Sequence, residues 1–157
     1  LDSMKEAQLG NGRVVSIFLY NLINGKDIVL VNGGHQRRSF TYLDDGIDAL
    51  IKIIKHDNQV LNKKIFNIGN PNNDISIKEL ANLMVKNYNE VSNDIYKDKI
   101  ITKSQNDFYS DGYEDIPIRV PDIQEAKNKL NWIPKYDISQ SIKKTITSYL
   151  KDEGHLK

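Results

Sequence analysis

The sequence predicts an α/β protein, because short apolar runs typical of β-strands alternate with longer segments that have the periodicity of helices. The strand-like runs are residues 28–31, 64–69 and 100–102. The length of 157 residues, with 39% apolar and 27% charged residues, suits one globular domain with a hydrophobic core. We find no internal repeat, low-complexity tract or linker.

The first predicted helix covers residues 13–24. Its apolar residues spread over most of the helix surface, with Asn11 as N-cap and Gly25 as the C-terminal stop. Residues 28–31 are too few and too β-branched for a helix, so they predict a strand. The Asn-Gly-Gly at residues 32–34 accepts positive φ angles without steric cost, which favours a hairpin-like turn.

An extended segment at residues 39–42 leads to the second helix. Asp44, Asp45 and Asp48 bring negative charge to the positive end of this helix, and we interpret them as helix-start residues rather than a paired-carboxylate catalytic site. The apolar residues of the helix fall on a single stripe. They are Ile47, Leu50, Ile51 and Ile54.

Residues 64–69 are typical of a short buried strand, which the turn-forming residues 70–73 end at once. Ser76 and Glu79 form a capping box, so a helix is predicted to begin there. The apolar residues of this helix recur at helical spacing. They are Ile77, Leu80, Ala81, Met84 and Tyr88.

The remaining chain predicts a short strand at residues 100–102, a loop and two helices. Residues 104–121 form a polar loop long enough to be either functional or disordered. Asp122 is the predicted cap of a helix that ends at residues 131–134 and has Ile123, Ala126 and Leu130 on its inner side. The last helix carries Ile138, Ile142, Ile146 and Tyr149.

The composition excludes several classes of function. Lys plus Arg number 22 and Asp plus Glu 21, so a formal charge of +1 argues against a broad nucleic-acid surface, and any anion site must be local. Cysteine is absent, which excludes disulfides and thiolate chemistry. The histidines match no metal spacing, and we expect no metal site. They are His35, His56 and His155.

No run of apolar residues is long enough to span a membrane and no export signal is present, so we expect a cytoplasmic protein without membrane partners. Leu1 opens the sequence without an initiator methionine, which we interpret as the start of a fragment.

The glycines near the amino end do not form a cofactor site. Gly10 and Gly12 begin like a dinucleotide fingerprint, but Val15 occupies the third glycine position and no strand precedes them. The chain also lacks a tyrosine followed four residues later by lysine, a phosphate-cradling loop and a nucleophile elbow. We therefore expect that these residues carry no complete catalytic machinery.

Arg37 and Arg38 follow the predicted turn and are the best candidates for binding an anion. A planar guanidinium can hold two phosphate oxygens at once. Alternation along an extended segment directs the two side chains to opposite faces, so one is expected to contact a ligand and the other solvent. An ordinary surface hairpin explains the same residues equally well.

Arg119 is the second candidate, since Pro117 and Pro121 restrict the backbone on either side of it. The residues alone favour a simpler explanation, a salt bridge to Glu114 or Asp115. Tyr113 could stack on a flat base or sugar, or serve only in packing.

Three motifs carry a resemblance to a known family. Residues 32–41, 66–71 and 130–135 together resemble, in order and spacing, the C-terminal half of extended short-chain dehydrogenases of the NAD-dependent epimerase/dehydratase family. The resemblance is closest to the UDP-glucuronate dehydrogenase/decarboxylase domain of bifunctional polymyxin-resistance enzymes. These are similar in having a Gly-Gly-x-Gln-x-Arg turn, an Asn-Ile-Gly-Asn-Pro segment and a Gly-Tyr-x-Asp-x-x-x-Arg loop. The resemblance covers the chain from Leu1 to about Lys151.

This resemblance implies the C-terminal substrate-binding part of an extended short-chain dehydrogenase, with a Rossmann-type fold. Residues 1–157 are then the nucleotide-sugar-binding portion, and an upstream part binds NAD and carries the catalytic Tyr-x-x-x-Lys. The implied reaction is oxidative decarboxylation of UDP-glucuronate to a UDP-4-keto-pentose, as in lipopolysaccharide modification. The resemblance further implies a homo-oligomer at full length, and we expect the fragment alone to be inactive.

The resemblance also implies residue roles. Arg119 matches the family's proposed proton donor and is the expected catalytic residue, and Tyr113 matches a substrate-contacting tyrosine. The residues expected to line the UDP group, with Arg38 on the diphosphate, are Val29, Leu30, Val31, Asn32, Gly33, Gly34, His35, Gln36, Arg37 and Arg38. Asn32, His35 and Arg37 differ from the Asp, Lys and Lys usual in the closest relatives, which leaves the sugar open.

Two alternatives remain from the sequence. The chain could be part of a UDP-sugar 4-epimerase or 4,6-dehydratase, in which Arg38 keeps its role and Arg119 has no role as proton donor. It could also be a non-catalytic nucleotide-sugar-binding module.

Overall fold

The computed structural model describes residues 12–56, 61–92, 94–104, 116–152 and 154, and the secondary structure is α/β as predicted. Its elements in chain order are α1 (Val14–Ile23), β1 (Ile28–Val31), β2 (Arg37–Ser39), α2 (Leu43–Lys55), β3 (Asp74–Ser76), α3 (Ile77–Val91), β4 (Ile100–Lys103), β5 (Ile118–Arg119), α4 (Gln124–Leu130) and α5 (Ile138–Asp152). The chain divides into two compact units. The first comprises residues 1–35, 76–115 and 142–157, and the second residues 36–75 and 116–141.

The first unit is built on a parallel pair of strands. In this pair β1 lies beside β4, with Ile28 opposite Ile100. Helices α1 and α3 contact each other and β1. The capping box predicted for α3 is confirmed, since Ser76 Oγ accepts the Glu79 N–H at 3.1 Å and Glu79 Oε2 accepts the Ser76 N–H at 2.8 Å. The buried apolar residues include Phe18, Leu19, Leu22, Ile28, Leu30, Leu80, Met84, Ile142, Ile146 and Leu150.

A tyrosine ties the start of β1 to the start of β4. The Tyr96 hydroxyl donates to the carbonyl oxygen of Lys26 at 2.8 Å. Burial raises the pKa of Tyr96 above its usual value. The phenol therefore remains a protonated donor at neutral pH.

The second unit contains a three-stranded sheet in the order β3-β2-β5, together with α2 and α4. Trp132 is fully buried, and its Nε1–H donates to the Asp45 carbonyl at 3.0 Å. The Asp45 carboxylate, 2% exposed, accepts the N–H groups of Lys135 at 2.8 Å and Tyr136 at 3.2 Å. Asp45 therefore does more than begin a helix, because it holds the segment after α4 against α2.

The predicted hairpin-like turn is wrong, although its backbone angles are right. Asn32, Gly33 and Gly34 have φ angles of 47°, 75° and 69°, as their residue types predict. They form a 3₁₀ turn, and β1 pairs with β4 rather than with β2. The strands on the two sides of the turn belong to different sheets, because each pairs with strands that are distant in sequence.

Two further predictions require correction. Residues 64–69 form no strand, and Ile65 is 89% exposed, because no described strand lies beside this segment to complete a ladder. The predicted loop at residues 104–121 contains the short strand β5, which pairs with β2. Asn11, the predicted cap of α1, lies outside the described residues.

The apolar stripe predicted on α2 is present, but within the described part of the chain it faces outward. Leu50 is 58% exposed and Ile54 79%, whereas Asp45 and Ala49 are the buried residues of this helix. Leu43, Ile47 and Ile51 extend the exposed stripe. Contiguous apolar surface of this kind promotes association in water.

We expect the substitution Ile54→Lys to reduce concentration-dependent association of the purified chain, because it places a charge within the exposed stripe. Light scattering over a concentration series measures this. Asn82→Lys is the matched control, since it adds the same charge at an exposed position of α3. Equal effects of both variants, or a wild-type chain that stays monomeric at every concentration, would contradict the prediction.

Candidate functional site

The described structure brings Arg38 and Arg119 together on adjacent strands of the second unit. Strands β2 and β5 run parallel, with Arg38 opposite Arg119 and Arg37 opposite Ile118. Neighbouring strands lie roughly 4.8 Å apart, and paired positions direct their side chains to the same face of a sheet. The two guanidinium-bearing side chains therefore leave the same face side by side.

The two arginines of this pair differ in their contacts. Arg38 is half-buried, and its Nη1 donates to the carbonyl oxygens of Ile116 and Arg37, both at 2.7 Å. Arg119 is exposed, and its side chain makes no hydrogen bond or ion pair within the described ranges. The alternative salt bridge of Arg119 involves Glu114 or Asp115, which lie outside those ranges.

Two like charges opposite each other on adjacent strands repel, and arginine cannot relieve the repulsion by losing its proton. An anion bound between the two guanidinium groups would remove this cost and accept charge-assisted hydrogen bonds from both. Because the whole chain carries a formal charge of only +1, this positive spot is a local feature. The geometry therefore suits a compact anion such as a phosphate or a carboxylate.

Arg37 lies on the opposite face of β2 and is held within the protein. Its Nε donates to Asp74 Oδ2 at 2.8 Å, and its Nη2 to the Asp74 carbonyl at 2.9 Å. This ion pair joins β2 to β3, so Arg37 is not simply directed to solvent. Of the two neighbouring arginines, Arg38 is the better candidate for a ligand contact. Sequence reasoning missed Asp74, since nothing in its local pattern indicates a partner on another strand.

A buried pair of amides fixes the end of β2. Asn73 Nδ2 donates to the Phe40 carbonyl at 3.0 Å, and the Phe40 N–H donates to the Asn73 carbonyl at 3.3 Å. Ser39 Oγ donates to the Asn70 carbonyl at 2.5 Å. Both asparagines are buried, whereas the sequence indicated only turn-forming residues. They therefore help to set where Arg38 lies.

The predicted ligand-lining residues are divided between the two units. Val29, Leu30, Val31, Asn32, Gly33, Gly34 and His35 lie in the first unit, and Gln36, Arg37 and Arg38 in the second. Within the first unit the turn approaches α3 closely, because a Cβ atom added to Gly34 would lie 2.9 Å from the Lys78 backbone nitrogen. Tyr113 lies outside the described residues.

Among the described residues no cluster of three or more His, Cys, Asp or Glu side chains could hold a metal ion. The same part of the chain contains no helix that is both long and apolar enough to cross a membrane.

Comparison with known proteins defines the class. Residues 5–69 match the model of the NAD dependent epimerase/dehydratase family, and over this range the chain is similar to that family. It is 40% identical to the bifunctional polymyxin resistance protein ArnA of Wigglesworthia glossinidia brevipalpis, over 97% of this chain and 24% of ArnA. The chain thus spans about a quarter of the length of that relative.

Two solved structures have a similar fold. The crystal structure of the PbgP3 protein from Burkholderia pseudomallei matches with a TM-score of 0.73 and 35% identity, over 92% of this chain and 41% of that one. A UDP-glucose 4-epimerase from Thermotoga maritima, solved with UDP-glucose, matches with a TM-score of 0.74 and 23% identity, again over 92% and 41%. The second similarity concerns the fold alone.

Proposed function

We propose that this chain is the nucleotide-sugar-binding portion of an NAD-dependent enzyme that oxidatively decarboxylates UDP-glucuronate to a UDP-4-keto-pentose. The observation that carries the proposal is the register of β2 and β5, which sets Arg38 beside Arg119. UDP-glucuronate offers anions of both kinds that such a pair can bind, a diphosphate and a sugar carboxylate. The 40% identity to ArnA supports the same assignment.

In this proposal Arg38 binds the diphosphate. Its guanidinium is fixed by the Ile116 and Arg37 carbonyl oxygens, so less rotamer entropy is lost when a phosphate oxygen binds. A fork of parallel N–H donors also matches the geometry of phosphate oxygens.

Arg119 is proposed to act at the acid end of the sugar. Bound NAD would supply the oxidation at C4, and it would be held by a part of the family domain other than the described residues. With a ketone at C4 the C6 carboxylate is a β-keto acid. The C5–C6 bond then breaks, carbon dioxide leaves, and the electron pair passes into an enolate that takes a proton at C5. The Arg119 charge would favour both the carboxylate and the enolate.

The exposed stripe on α2 supports packing of this helix against a further layer of the family domain. An amphipathic helix normally turns its apolar side toward a core, but here Leu43, Leu50 and Ile54 are more than half exposed. The solved relative PbgP3 extends well beyond the matched region, which covers 41% of it. We propose that a further layer of the family domain packs on this stripe.

The isolated 157-residue chain is expected not to turn over. Incubation with UDP-glucuronate and NAD should produce no NADH above a protein-free blank, because the proposal assigns NAD binding and the catalytic Tyr-x-x-x-Lys to another part of the family domain. A full-length relative assayed in parallel confirms that the assay detects turnover. Measurable NADH formation by the isolated chain would contradict the assignment of NAD binding to another part of the family domain.

The decarboxylation itself is tested in a full-length enzyme that contains this chain. Supplied with UDP-glucuronate labelled at C6, it should release labelled carbon dioxide. C4 inversion or loss of water without labelled carbon dioxide would instead identify a UDP-sugar 4-epimerase or 4,6-dehydratase. Binding of UDP without any reaction would identify a non-catalytic module.

A further inference from the structure

Gly69 provides the space for a proline that follows Arg119. A Cβ atom added to Gly69 would lie 2.6 Å from Pro121 Cγ and 3.3 Å from Pro121 Cβ. Real Cβ atoms essentially never approach a neighbour within 3.0 Å, so a side chain here would displace the ring. Gly69 is absent from the glycines with positive φ, and its requirement for glycine is therefore one of space.

The position of β5 depends on such contacts outside the strand. It contains only two residues, which pair with Arg37 and Arg38 of β2. Before the strand, the Pro117 carbonyl accepts the Arg37 N–H at 2.8 Å. After the strand, the Pro121 ring packs on Gly69. A two-residue strand has too short a ladder to fix its own register, so the contacts at its two ends must do so.

A second contact holds the same segment. Asn67 Nδ2 donates to the Asp122 carbonyl at 3.0 Å, one residue beyond Pro121. Residues 67–69 therefore contact residues 121–122 and limit the positions that they can adopt. These contacts give a role to a stretch whose composition alone predicts a strand.

We propose that Gly69 is a positioning residue. Because it has no side chain, the Pro121 ring can pack against it, and this packing keeps Arg119 in register with Arg38. The inference rests on the proposed function for its consequence in ligand binding, but the positioning itself does not require a ligand. The substitution Gly69→Ala should push Pro121 outward and draw Arg119 away from Arg38.

The chain offers a matched control for this substitution. Gly46 lies in α2 of the same unit, and a Cβ atom added there meets nothing within 4 Å. Gly46→Ala therefore makes the same chemical change without a collision. Pro121→Ala in the Gly69→Ala background removes the Cγ atom that the new methyl group meets, and it should restore the register.

The first arm of the test is independent of ligand. Nuclear Overhauser contacts between Arg38 and Arg119 should be seen in the wild-type chain and in Gly46→Ala, be lost in Gly69→Ala, and return in the double variant with Pro121→Ala. Circular dichroism verifies that every variant is folded. Persistence of these contacts in Gly69→Ala would overturn the proposal.

The second arm measures UDP-glucuronate affinity by calorimetry, because the sugar carboxylate is the group that Arg119 is proposed to contact. Gly69→Ala should weaken binding about tenfold, the loss expected for one charge-assisted hydrogen bond, and Gly46→Ala should not change it. In an Arg119→Met background Gly69→Ala should cause no further loss, since the two changes remove the same contact. An equal loss with and without Arg119 would overturn the positioning role. If the wild-type chain binds no UDP-glucuronate, the proposed function fails, while the first arm still decides the role of Gly69.

Discussion

Replacement of Arg119 by methionine in a full-length enzyme containing this chain is expected to lower the rate of carbon dioxide release by about 100-fold or more, the usual cost of removing one group that stabilises developing negative charge. C4 oxidation should persist, because it does not involve the carboxylate. The expected signature is thus an uncoupling of the two steps. Arg119→Lys should keep part of the rate, since it retains the charge without the planar fork.

The measurement compares NADH formation with labelled carbon dioxide release in the same reaction. Lys86→Met is the matched control, since it also replaces an exposed basic side chain by methionine, at a position of α3 that has no role in the proposal. If Arg119→Met decarboxylates at the wild-type rate and loses only affinity for UDP, Arg119 is a phosphate ligand. The epimerase or dehydratase alternative would then be favoured.

Replacement of Arg38 by methionine is expected to weaken UDP binding by about 10- to 100-fold, since a hydrogen bond to a charged group contributes about 1.5–3 kcal/mol. Two losses combine in this variant. The diphosphate loses its guanidinium partner, and Ile116 loses the donor that fixes the start of β5. Arg38→Lys should recover part of the affinity through its charge, but not the anchoring of β5.

Arg37→Met is the informative control for this experiment. Arg37 is adjacent in sequence but lies on the other face of β2, where it pairs with Asp74. Its loss should lower thermal stability modestly, because the pair is partly exposed, and should change UDP affinity less than Arg38→Met. Calorimetric titration and thermal melts of both variants supply the comparison. A greater loss of affinity in Arg37→Met would reverse the assignment of the two faces.

Features of the fold that depend on local chemistry could be predicted from the sequence. The capping box of α3 needs only Ser76 and Glu79, and the positive φ angles of residues 32–34 need only asparagine and glycine. The stripe on α2 follows from helical spacing. In each case the residues that determine the structure are neighbours in the chain.

Features that depend on partners distant in sequence could not be predicted. Residues 28–31 form a strand as expected, but their partner is β4, and the local turn wrongly suggested β2. Residues 64–69 have the composition of a strand and yet lack a neighbouring strand among the described residues. The two-residue strand β5 is too short to leave any pattern.

The candidate site shows the same division. Arg38 and Arg119 were each identified as anion-binding candidates, but only the register of β2 and β5 reveals that they lie side by side. The sequence pattern around Asp74 and Gly69 does not indicate their roles. Asp74 forms an ion pair with Arg37, and Gly69 leaves space for the Pro121 ring. Their importance arises from contacts across the second unit.

The central claim is that Arg38 and Arg119 bind one and the same nucleotide sugar. The most direct test is a titration of the arginine-¹⁵N-labelled chain with UDP-glucuronate, following the Nε–Hε signals of both side chains by NMR. Both signals should shift together with a single dissociation constant. A shift of only one signal, two different constants, or no shift of either would contradict it.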